Sequence, residues 1–403
     1  MLSVEDALEQ ILSRIRPLGT EQVDVLSALR RVLAEPVVAP RQLPPWPNSS
    51  MDGYAIRAED TRGGRAELAV VGRIIAGAVA DRALGAGEAM RIFTGAPLPD
   101  GADAVIPQED VRLHGDRIAI GRPVTRGDFV RPAGEDVRAG DVVVPAGHVA
   151  GAAEVGLLAT LGYTRVRVYR RPRVAVLSTG NELAELGEVT GPGQIPNTNT
   201  YSLMAQVLET GAEPVSLGVA PDRLEAIVER LRWGLDADVL VSSAGVSVGE
   251  LDLVREALVR CGAELHLWKV SMRPGQPITF GSVEGRPVFG LPGNPVSAMV
   301  TFELFVRPAL RRMLGYAAVE RPRIVARALE PIRNPGARRG YLRVTLAREA
   351  DGYGARLTGG QGSGILRSMV LADGLAVVAP DTDVPAGAPV EVIVLRGLEP
   401  RAR

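Results

Sequence analysis

The sequence predicts a multidomain protein that combines an α/β domain with helical and β-rich parts. Apolar strands alternate with amphipathic helices between residues 174 and 314, a pattern typical of a parallel sheet covered by helices on both faces. Short apolar runs separated by Gly, Pro and Asp fill residues 54–145 and the stretch after Pro322, and such runs indicate β domains. A length of 403 residues is compatible with about two to four domains.

The N-terminal segment predicts a helical region that is split by the first β module. Residues Ser3–Ile15 have an amphipathic pattern with Ser3 as N-cap and Asp6 at capping-box spacing, and a second short helix is predicted at Leu26–Ala34. A proline-rich connector follows, and a further helix and strand are predicted within residues 149–169. We therefore predict a split N-terminal domain at residues 1–50 and 146–171, an inserted β domain at 51–145, an α/β domain with a parallel sheet at 172–318, and a C-terminal β-barrel-like domain at 319–403.

Composition excludes several classes of function. The formal net charge is −1 and basic residues form no run, so we expect no nucleic-acid partner. One cysteine, Cys261, cannot form an internal disulfide, which is typical of a reducing compartment. No apolar run approaches membrane-spanning length and the first residues are acidic, so we expect a cytoplasmic protein that does not enter a membrane. The three histidines lack metal-ligand spacing, so any metal should bind oxygen ligands, which favours Mg²⁺ over Zn²⁺.

A lone lysine precedes a helix start that is suited to anions. Lysine and arginine total 46, yet Lys269 is the only lysine, which reflects either a need for a compact ammonium group or codon bias. Downstream, Asn294 is a predicted N-cap with Pro295 at the first helical position, so the N–H groups of Val296 and Ser297 and the Ser297 hydroxyl should point outward. Such a helix end binds oxyanions or is simply well capped. Lys269 and Arg273 favour a phosphate-like ligand there.

Polar clusters follow three of the predicted parallel strands. Loops after successive parallel strands emerge at one edge of the sheet, so we expect their acidic side chains, Glu182, Asp222 and Asp252, to converge near Lys269 and Ser297. Asp222 and Asp252 are also suitable helix N-caps, whereas Glu182 has no comparable structural role. The run SSAGVSVGE could surround a phosphate with N–H groups, but it lacks the lysine of a P-loop, which disfavours a Walker ATPase.

The inserted β module carries three polar turns. Asp52 stands before Gly53, Thr94 stands before Gly95, and Asp136 lies in the polar loop RPAGEDVRAGD. Taken singly, an Asp before Gly is usually only a turn residue.

Taken together, the segments resemble the molybdopterin molybdenumtransferase family, the MoeA and gephyrin E-domain group. The resemblance extends over nearly the whole chain, and the motifs that carry it are NSSMDGYA, FTGAPLPDGADAV, AGEDVRAGD, LSTGNEL, NTNTYSL, SSAGVSVGELD, KVSMRPGQP, GLPGNPVSA and QGSG. It implies a split N-terminal domain, an inserted β domain, a molybdopterin-binding α/β domain and a C-terminal β domain. It also implies an elongated homodimer whose sites are shared between subunits, and other proteins of molybdenum cofactor biosynthesis are possible partners.

The resemblance also implies the site residues, matched motif by motif. The implied catalytic positions are Asp52, Thr94, Asp136, Glu182, Asp222, Asp252 and Lys269. The implied molybdate- and substrate-binding positions are Ser247, Lys269, Arg273, Asn294, Ser297, Arg343 and Ser363. Magnesium would be held within the set Asp52, Glu182 and Asp252. Four positions depart from the family pattern: Asn181 replaces a frequent Asp, Arg273 and Gln276 replace frequent Lys, and Gly364 replaces a frequent His.

The activity that the resemblance implies is Mg²⁺-dependent insertion of molybdenum. Adenylylated molybdopterin and molybdate would be converted into molybdenum cofactor and AMP. Cations and hydrogen-bond donors must offset the repulsion between molybdate and the anionic substrate. Two alternatives are a molybdopterin adenylyltransferase, which would need only the α/β region, and a non-catalytic molybdopterin-binding scaffold, which would not need the acidic residues.

Overall fold

The computed structural model describes residues 1–243 and 253–397. Its contacts divide the chain into two compact units. The first unit comprises residues 1–34, 149–151 and the chain from 165 onward, and the second comprises 35–148 and 152–164. The division into four domains therefore stays a prediction.

The N-terminal helix of the first unit is Val4–Arg14, as predicted. Ser3 caps it, because its hydroxyl oxygen accepts a hydrogen bond from the Asp6 N–H at 3.0 Å. The predicted helix at Leu26–Ala34 is wrong, since only a 3₁₀ turn forms at Val25–Ala28. Arg30 has a φ of +62°, a left-handed conformation that an α-helix cannot contain.

Within the described part of the α/β region, six strands form one sheet. Four are parallel, as predicted, and two form an antiparallel hairpin at one edge. Their spatial order is Glu213–Ala220, Arg173–Thr179, Val239–Ser243, Arg286–Leu291, Pro277–Val283 and Glu264–Lys269. Lys269 therefore ends an antiparallel edge strand rather than a parallel one.

Helices cover both faces of this sheet, as a buried parallel sheet requires. Along the strand Arg173–Thr179, Val174 and Val176 pack on one side with Leu203 and Val207. The alternate residues of that strand pack on the other side with two further helices. The helices are Thr198–Thr210, Leu224–Gly234, Leu253–Arg260 and Pro295–Thr301, and the last continues through a π-helical turn at Phe302–Val306 into Arg307–Met313. Short additional pairs join Thr20–Asp24 to Arg165–Tyr169 and Leu183–Ala184 to Ile195–Pro196.

The C-terminal part of this unit contains a closed barrel of five strands, which confirms the predicted β-barrel-like region. Closure results from pairing between its first and last strands, Arg323–Ala328 and Pro389–Val394. The short helix Leu366–Leu371 lies in the connection before the strand Gly374–Val378. The three intervening strands are Arg339–Glu349, Gly352–Leu357 and Gly374–Val378. The two-residue strand Met272–Arg273 extends the barrel sheet beside Arg339 and Gly340, and Ile332–Asn334 pairs separately with Thr382–Val384.

The second unit is a curled β-sheet with a helix, which agrees with the predicted β module. Its helix is Ala152–Leu161, and small strand pairs join Val37–Val38 to Val142–Val144 and Asn48–Ser49 to Val130–Arg131. Two 3₁₀ turns lie at Ala58–Thr61 and Gln108–Asp110. The spatial order of the sheet is Ala104–Pro107, Gly53–Ile56, Glu88–Ile92, Ala66–Ile74, Arg117–Ile120 and Val111–His114.

Candidate functional site

A pocket of about 490 Å³, lined by both polar and apolar residues, lies at the carboxyl ends of the parallel strands. This is where open α/β sheets bind ligands. Thr179 and Ser243 end two neighbouring strands, and the turn at 292–295 follows a third. The lining is Thr179, Glu182, Leu183, Ile195, Pro196, Asn197, Thr198, Asn199, Ser243, Pro277, Pro292, Gly293, Asn294 and Pro295.

Asn199 is the residue that holds two walls of the pocket together. Its side-chain amide donates to the Ser243 hydroxyl at 2.6 Å and to the Gly293 carbonyl at 2.7 Å. Its Oδ1 is buried and has no hydrogen-bond partner among the described residues. An unpaired buried acceptor costs free energy unless a ligand or water satisfies it. Its motif, NTNTYSL, is visible in the sequence, but no sequence signal distinguishes this side chain from its polar neighbours.

The helix start beside the pocket differs from the prediction. Asn294 occupies the N-cap position and Pro295 the first helical position, but the Asn294 side chain makes no capping hydrogen bond. The Val296 N–H is not free, because it donates to the Ser363 carbonyl at 3.0 Å. Ser297 is buried. The loop around Ser363 thus covers part of the helix end that the sequence left open to an anion.

The acidic loops after the first two parallel strands are connected to each other. The Asn181 N–H donates to Asp222 Oδ2 at 3.2 Å, and the Asp222 N–H donates to Asn181 Oδ1 at 3.1 Å. The N-cap role expected for Asp222 is wrong, because Arg223 occupies that position and no side chain caps the helix. Glu182 is exposed and lines the pocket.

Lys269 and Arg273 lie on either side of a tight turn. Lys269 is half-buried and pairs with Pro277, which lines the pocket, so its strand ends at the pocket wall. Arg273 is exposed and pairs through its backbone with Gly340 of the barrel.

Arg343 is the most unusual cation of the first unit, because its side chain is fully buried. Its Nε donates to the Ser368 hydroxyl at 3.1 Å and its Nη2 to the Gly362 carbonyl at 3.1 Å. Its Nη1 is buried without a hydrogen-bond partner in the described part of the chain. Burial, together with the nearby charge of Arg273, lowers the pKa of Arg343 to about 10. A buried guanidinium with an unused donor favours an anion.

In the second unit, Asp52 and Thr94 are brought together from separate turns. The Thr94 N–H and hydroxyl both donate to Asp52 Oδ1, each at 2.8 Å. These two bonds lower the pKa of the Asp52 carboxyl, and the charge of Arg91 adds to the effect. Asp52 is therefore ionised at neutral pH. Asp136 is exposed, and its N–H donates to the Leu43 carbonyl at 3.0 Å.

Two of the implied site residues, Ser247 and Asp252, lie outside the described residues. Among residues 1–243 and 253–397, no three His, Cys, Asp or Glu side chains come together as a metal site. No helix in this described part is long and apolar enough to cross a membrane.

Three family models match consecutive parts of the chain. The MoeA N-terminal region (domain I and II) matches residues 2–162, a probable molybdopterin binding domain matches residues 175–312, and the MoeA C-terminal region (domain IV) matches residues 325–395. The pocket at the strand ends therefore lies in the part that matches the molybdopterin binding domain.

Individual relatives match over almost the full length. A molybdopterin molybdenumtransferase of Nostoc is 38% identical, with 98% of this chain and 94% of the relative covered. Molybdopterin molybdenumtransferase 2 of Mycobacterium tuberculosis is 38% identical, with 97% of this chain and 99% of the relative covered. A crystal structure of the molybdopterin biosynthesis MoeA protein of Pyrococcus horikoshii, 35% identical, superposes with a TM-score of 0.85 and covers 98% of this chain and 100% of its own. The chain thus belongs to the molybdopterin molybdenumtransferase (MoeA) family.

Proposed function

We propose that this protein inserts molybdenum, converting adenylylated molybdopterin and molybdate into molybdenum cofactor and AMP. The observation that carries the proposal is the pocket at the strand ends, in the part of the chain that matches a molybdopterin binding domain. The full-length similarity to proteins named molybdopterin molybdenumtransferase supports the same reaction.

The pocket lining itself contains no cation among the described residues, so the positive charge proposed for the anionic substrate comes from residues outside the lining. Molybdate is a dianion, and it must approach a substrate that already carries phosphate and dithiolene groups. Lys269, Arg273 and the buried Arg343 supply positive charge, and the unused Nη1 of Arg343 offers a fixed donor. Asn294, Ser297 and Ser363, at or beside the helix start, complete the proposed binding set with Ser247. Glu182, Asp222 and Asp136 are proposed to orient the phosphoanhydride and the attacking group.

Magnesium is part of the proposal, with its protein ligands drawn from the set Asp52, Glu182 and Asp252. The donor chemistry fits, because Mg²⁺ prefers carboxylate oxygens and usually takes only one or two from protein beside phosphate oxygens. Asp52 is ionised, and both bonds from Thr94 use Oδ1, which leaves Oδ2 for a cation. A bound magnesium ion would neutralise charge that develops on the phosphate oxygens.

We also propose a cytoplasmic homodimer with sites shared between subunits, as in the family that the chain resembles. Asp52 and Thr94 would then come from one subunit and Glu182, Lys269 and Arg343 from the other. Other proteins of molybdenum cofactor biosynthesis would supply the substrate or receive the product.

The test is AMP release from adenylylated molybdopterin by the purified protein, with and without molybdate. We expect release that depends on molybdate and on Mg²⁺. An adenylyltransferase would instead consume ATP, and a scaffold would release no AMP. Molybdate-independent release, or none, contradicts the proposal.

A further inference from the structure

A row of cationic and aromatic side chains crosses one face of the curled sheet in the second unit. Arg73 and Arg91 are direct cross-strand partners, and Arg91 is the direct partner of Tyr54 on the next strand. Direct partners place their side chains on the same face of a sheet. Phe93 lies two residues after Arg91, and therefore on that face as well. We name these four residues the Arg73–Tyr54 row.

The aromatic rings hold both guanidinium groups in place. The Arg73 guanidinium carbon lies 4.9 Å from the centre of the Phe93 ring, and that of Arg91 lies 5.0 Å from the same centre. Arg91 also lies 5.0 Å from the centre of the Tyr54 ring. Such stacking stabilises a cation while leaving its N–H donors at the edge of the guanidinium plane.

Arg91 is further fixed by hydrogen bonds. Its Nη1 donates to the Gly53 carbonyl at 3.2 Å, and its Nη2 donates to the Gln108 side chain. Gly53 directly follows Asp52, and the charge of Arg91 contributes to the low pKa of the Asp52 carboxyl. The row therefore ends beside the ionised carboxylate and Thr94.

Within the described part of the unit, the two arginines of the row have no carboxylate partner, whereas five other arginines do. Arg73 is exposed, and neither Arg73 nor Arg91 has a carboxylate within ion-pair distance among the described residues. Ion pairs with Asp or Glu are made by Arg62, Arg82, Arg117, Arg122 and Arg126. Two neighbouring cations with no carboxylate in direct contact attract an anion.

We propose that Arg73 and Arg91 form an anion-binding pair that takes a phosphate group of the adenylylated substrate and places it beside Asp52. This rests on the proposed function, which supplies a phosphoanhydride as the ligand. Arg91 orients the phosphate, and exposed Arg73, stacked on Phe93, contacts it from the neighbouring strand. A phosphate held there lies next to the carboxylate that is proposed to bind magnesium.

The experiment compares Arg73→Gln with the matched control Arg112→Gln in the full-length protein. Arg112 is also exposed on the same sheet and also lacks an ion-pair partner among the described residues, but it is not part of the row. ADP is the probe, and its affinity is measured by titration calorimetry, with adenosine as the ligand without phosphate. We expect Arg73→Gln to weaken ADP binding about tenfold, since it removes a charge-assisted contact, and to leave adenosine binding unchanged.

Arg112→Gln should bind ADP as the parent does. Equal ADP affinity in the parent and Arg73→Gln overturns the proposal, as does the absence of ADP binding by the parent. If Arg73→Gln weakens ADP and adenosine binding equally, the proposal is also overturned, because the lost contact is then to the nucleoside and not to the phosphate.

Failure of the proposed function has a different signature. If the parent protein shows no molybdate-dependent AMP release, the reaction is wrong, yet the calorimetry still decides whether the arginine pair binds a phosphate. If the parent is active, Arg73→Gln should raise the KM for the adenylylated substrate about tenfold with little change in kcat. An unchanged KM in an active parent would contradict the anion-binding role of Arg73 and Arg91 and leave the proposed reaction unaffected.

Discussion

Asn181 and Asp222 bind each other's backbone across two loops that follow neighbouring strands. Each residue donates its N–H to the side-chain oxygen of the other, at 3.2 Å and 3.1 Å. Their strands end side by side, with Thr179 opposite Ala220. The reciprocal bonds fix the relative position of both loops at the edge where the pocket opens.

Removing one acceptor of this pair should loosen the Asp222 loop locally. Asn181→Ala deletes the oxygen that accepts from the Asp222 N–H, so we expect hydrogen exchange of that amide to accelerate about tenfold. Asn181→Asp keeps an acceptor at the same place and should retain most of the protection. Equal exchange rates in the parent and Asn181→Ala would show that the bond does not hold the loop.

The two hydrogen bonds from Thr94 should determine how far the pKa of the Asp52 carboxyl is lowered. Its pKa lies below the ordinary value of 3.8, so folding favours the ionised form. That contribution to stability is complete above the ordinary value and disappears as the pH falls through the lower value of the folded state. Thr94→Val removes the hydroxyl donor but keeps the N–H, so the pKa of Asp52 should rise part of the way.

The measurement is a pH titration of the Asp52 carboxyl carbon by NMR. Thr125→Val is the matched control, because Thr125 is an exposed threonine of the same unit that contacts a carboxylate only through its backbone N–H. An Asp52 pKa that is the same in Thr94→Val and the parent would contradict the assigned cause.

Asn199 should be required for the stability of the pocket walls. Asn199→Asp has the same shape but replaces the donors to Ser243 and Gly293 with an acceptor, which leaves the Gly293 carbonyl facing a carboxylate. We expect the free energy of unfolding to fall by about 1–3 kcal/mol and the Tm to fall with it. Gln194→Glu is the control, because Gln194 is exposed and its bond to the Gly191 N–H needs only an acceptor. A Tm unchanged in Asn199→Asp would remove this residue from the architecture of the site.

Molybdate should stabilise the protein through Arg343. Burial and the charge of Arg273 lower the pKa of Arg343 to about 10. Below that pH the charged guanidinium therefore opposes folding. A bound dianion would offset both the lost solvation and the repulsion from Arg273. At about 100 times the Kd, a ligand specific for the folded state stabilises by about 2.7 kcal/mol. The Tm of the parent should therefore rise with molybdate, at constant ionic strength, and that of Arg343→Met should not.

Arg333→Met is a suitable comparison, since Arg333 is an exposed arginine of the same C-terminal part. Its Tm should rise with molybdate as in the parent. A full molybdate shift in Arg343→Met would place the anion elsewhere.

The shared-site dimer predicts complementation between two inactive variants. Asp52→Ala and Glu182→Ala subunits, with different tags, are co-expressed and purified through both tags. In a mixed dimer one site carries both defects and the other carries neither, so AMP release should reach about half of the parent value per dimer. If the mixed dimers are no more active than the Asp52→Ala or Glu182→Ala homodimer, each site is built within one chain.

Elements specified by neighbouring residues were predictable from the sequence. The helix after Ser3 begins where its cap and first-turn acid place it, and the alternation of strands and helices predicted a sheet that is covered on both faces. The helix expected at Leu26–Ala34 failed, because the left-handed backbone of Arg30 has no sequence signal when the residue is not glycine.

Contacts between distant residues were not predictable in the same way. The residues around Asp222 predicted a helix N-cap. In the structure its carboxylate instead accepts a hydrogen bond from the N–H of Asn181, 41 positions earlier. The Val296 N–H appeared free until the loop around Ser363 covered it. Asn199 has no local feature that distinguishes it from the polar residues beside it. The sequence could place side chains at one sheet edge but could not determine which of them bond to each other.

The closed barrel has a consequence for synthesis of the chain. Its first strand, Arg323–Ala328, pairs along its length with the last, Pro389–Val394, so the barrel cannot close until the last strand has left the ribosome. A chain that stops before Pro389 would expose the pairing edges of Arg323–Ala328 and Gly374–Val378. Unpaired strand edges recruit other chains. Premature termination in this short stretch should therefore produce aggregates rather than a shortened soluble enzyme.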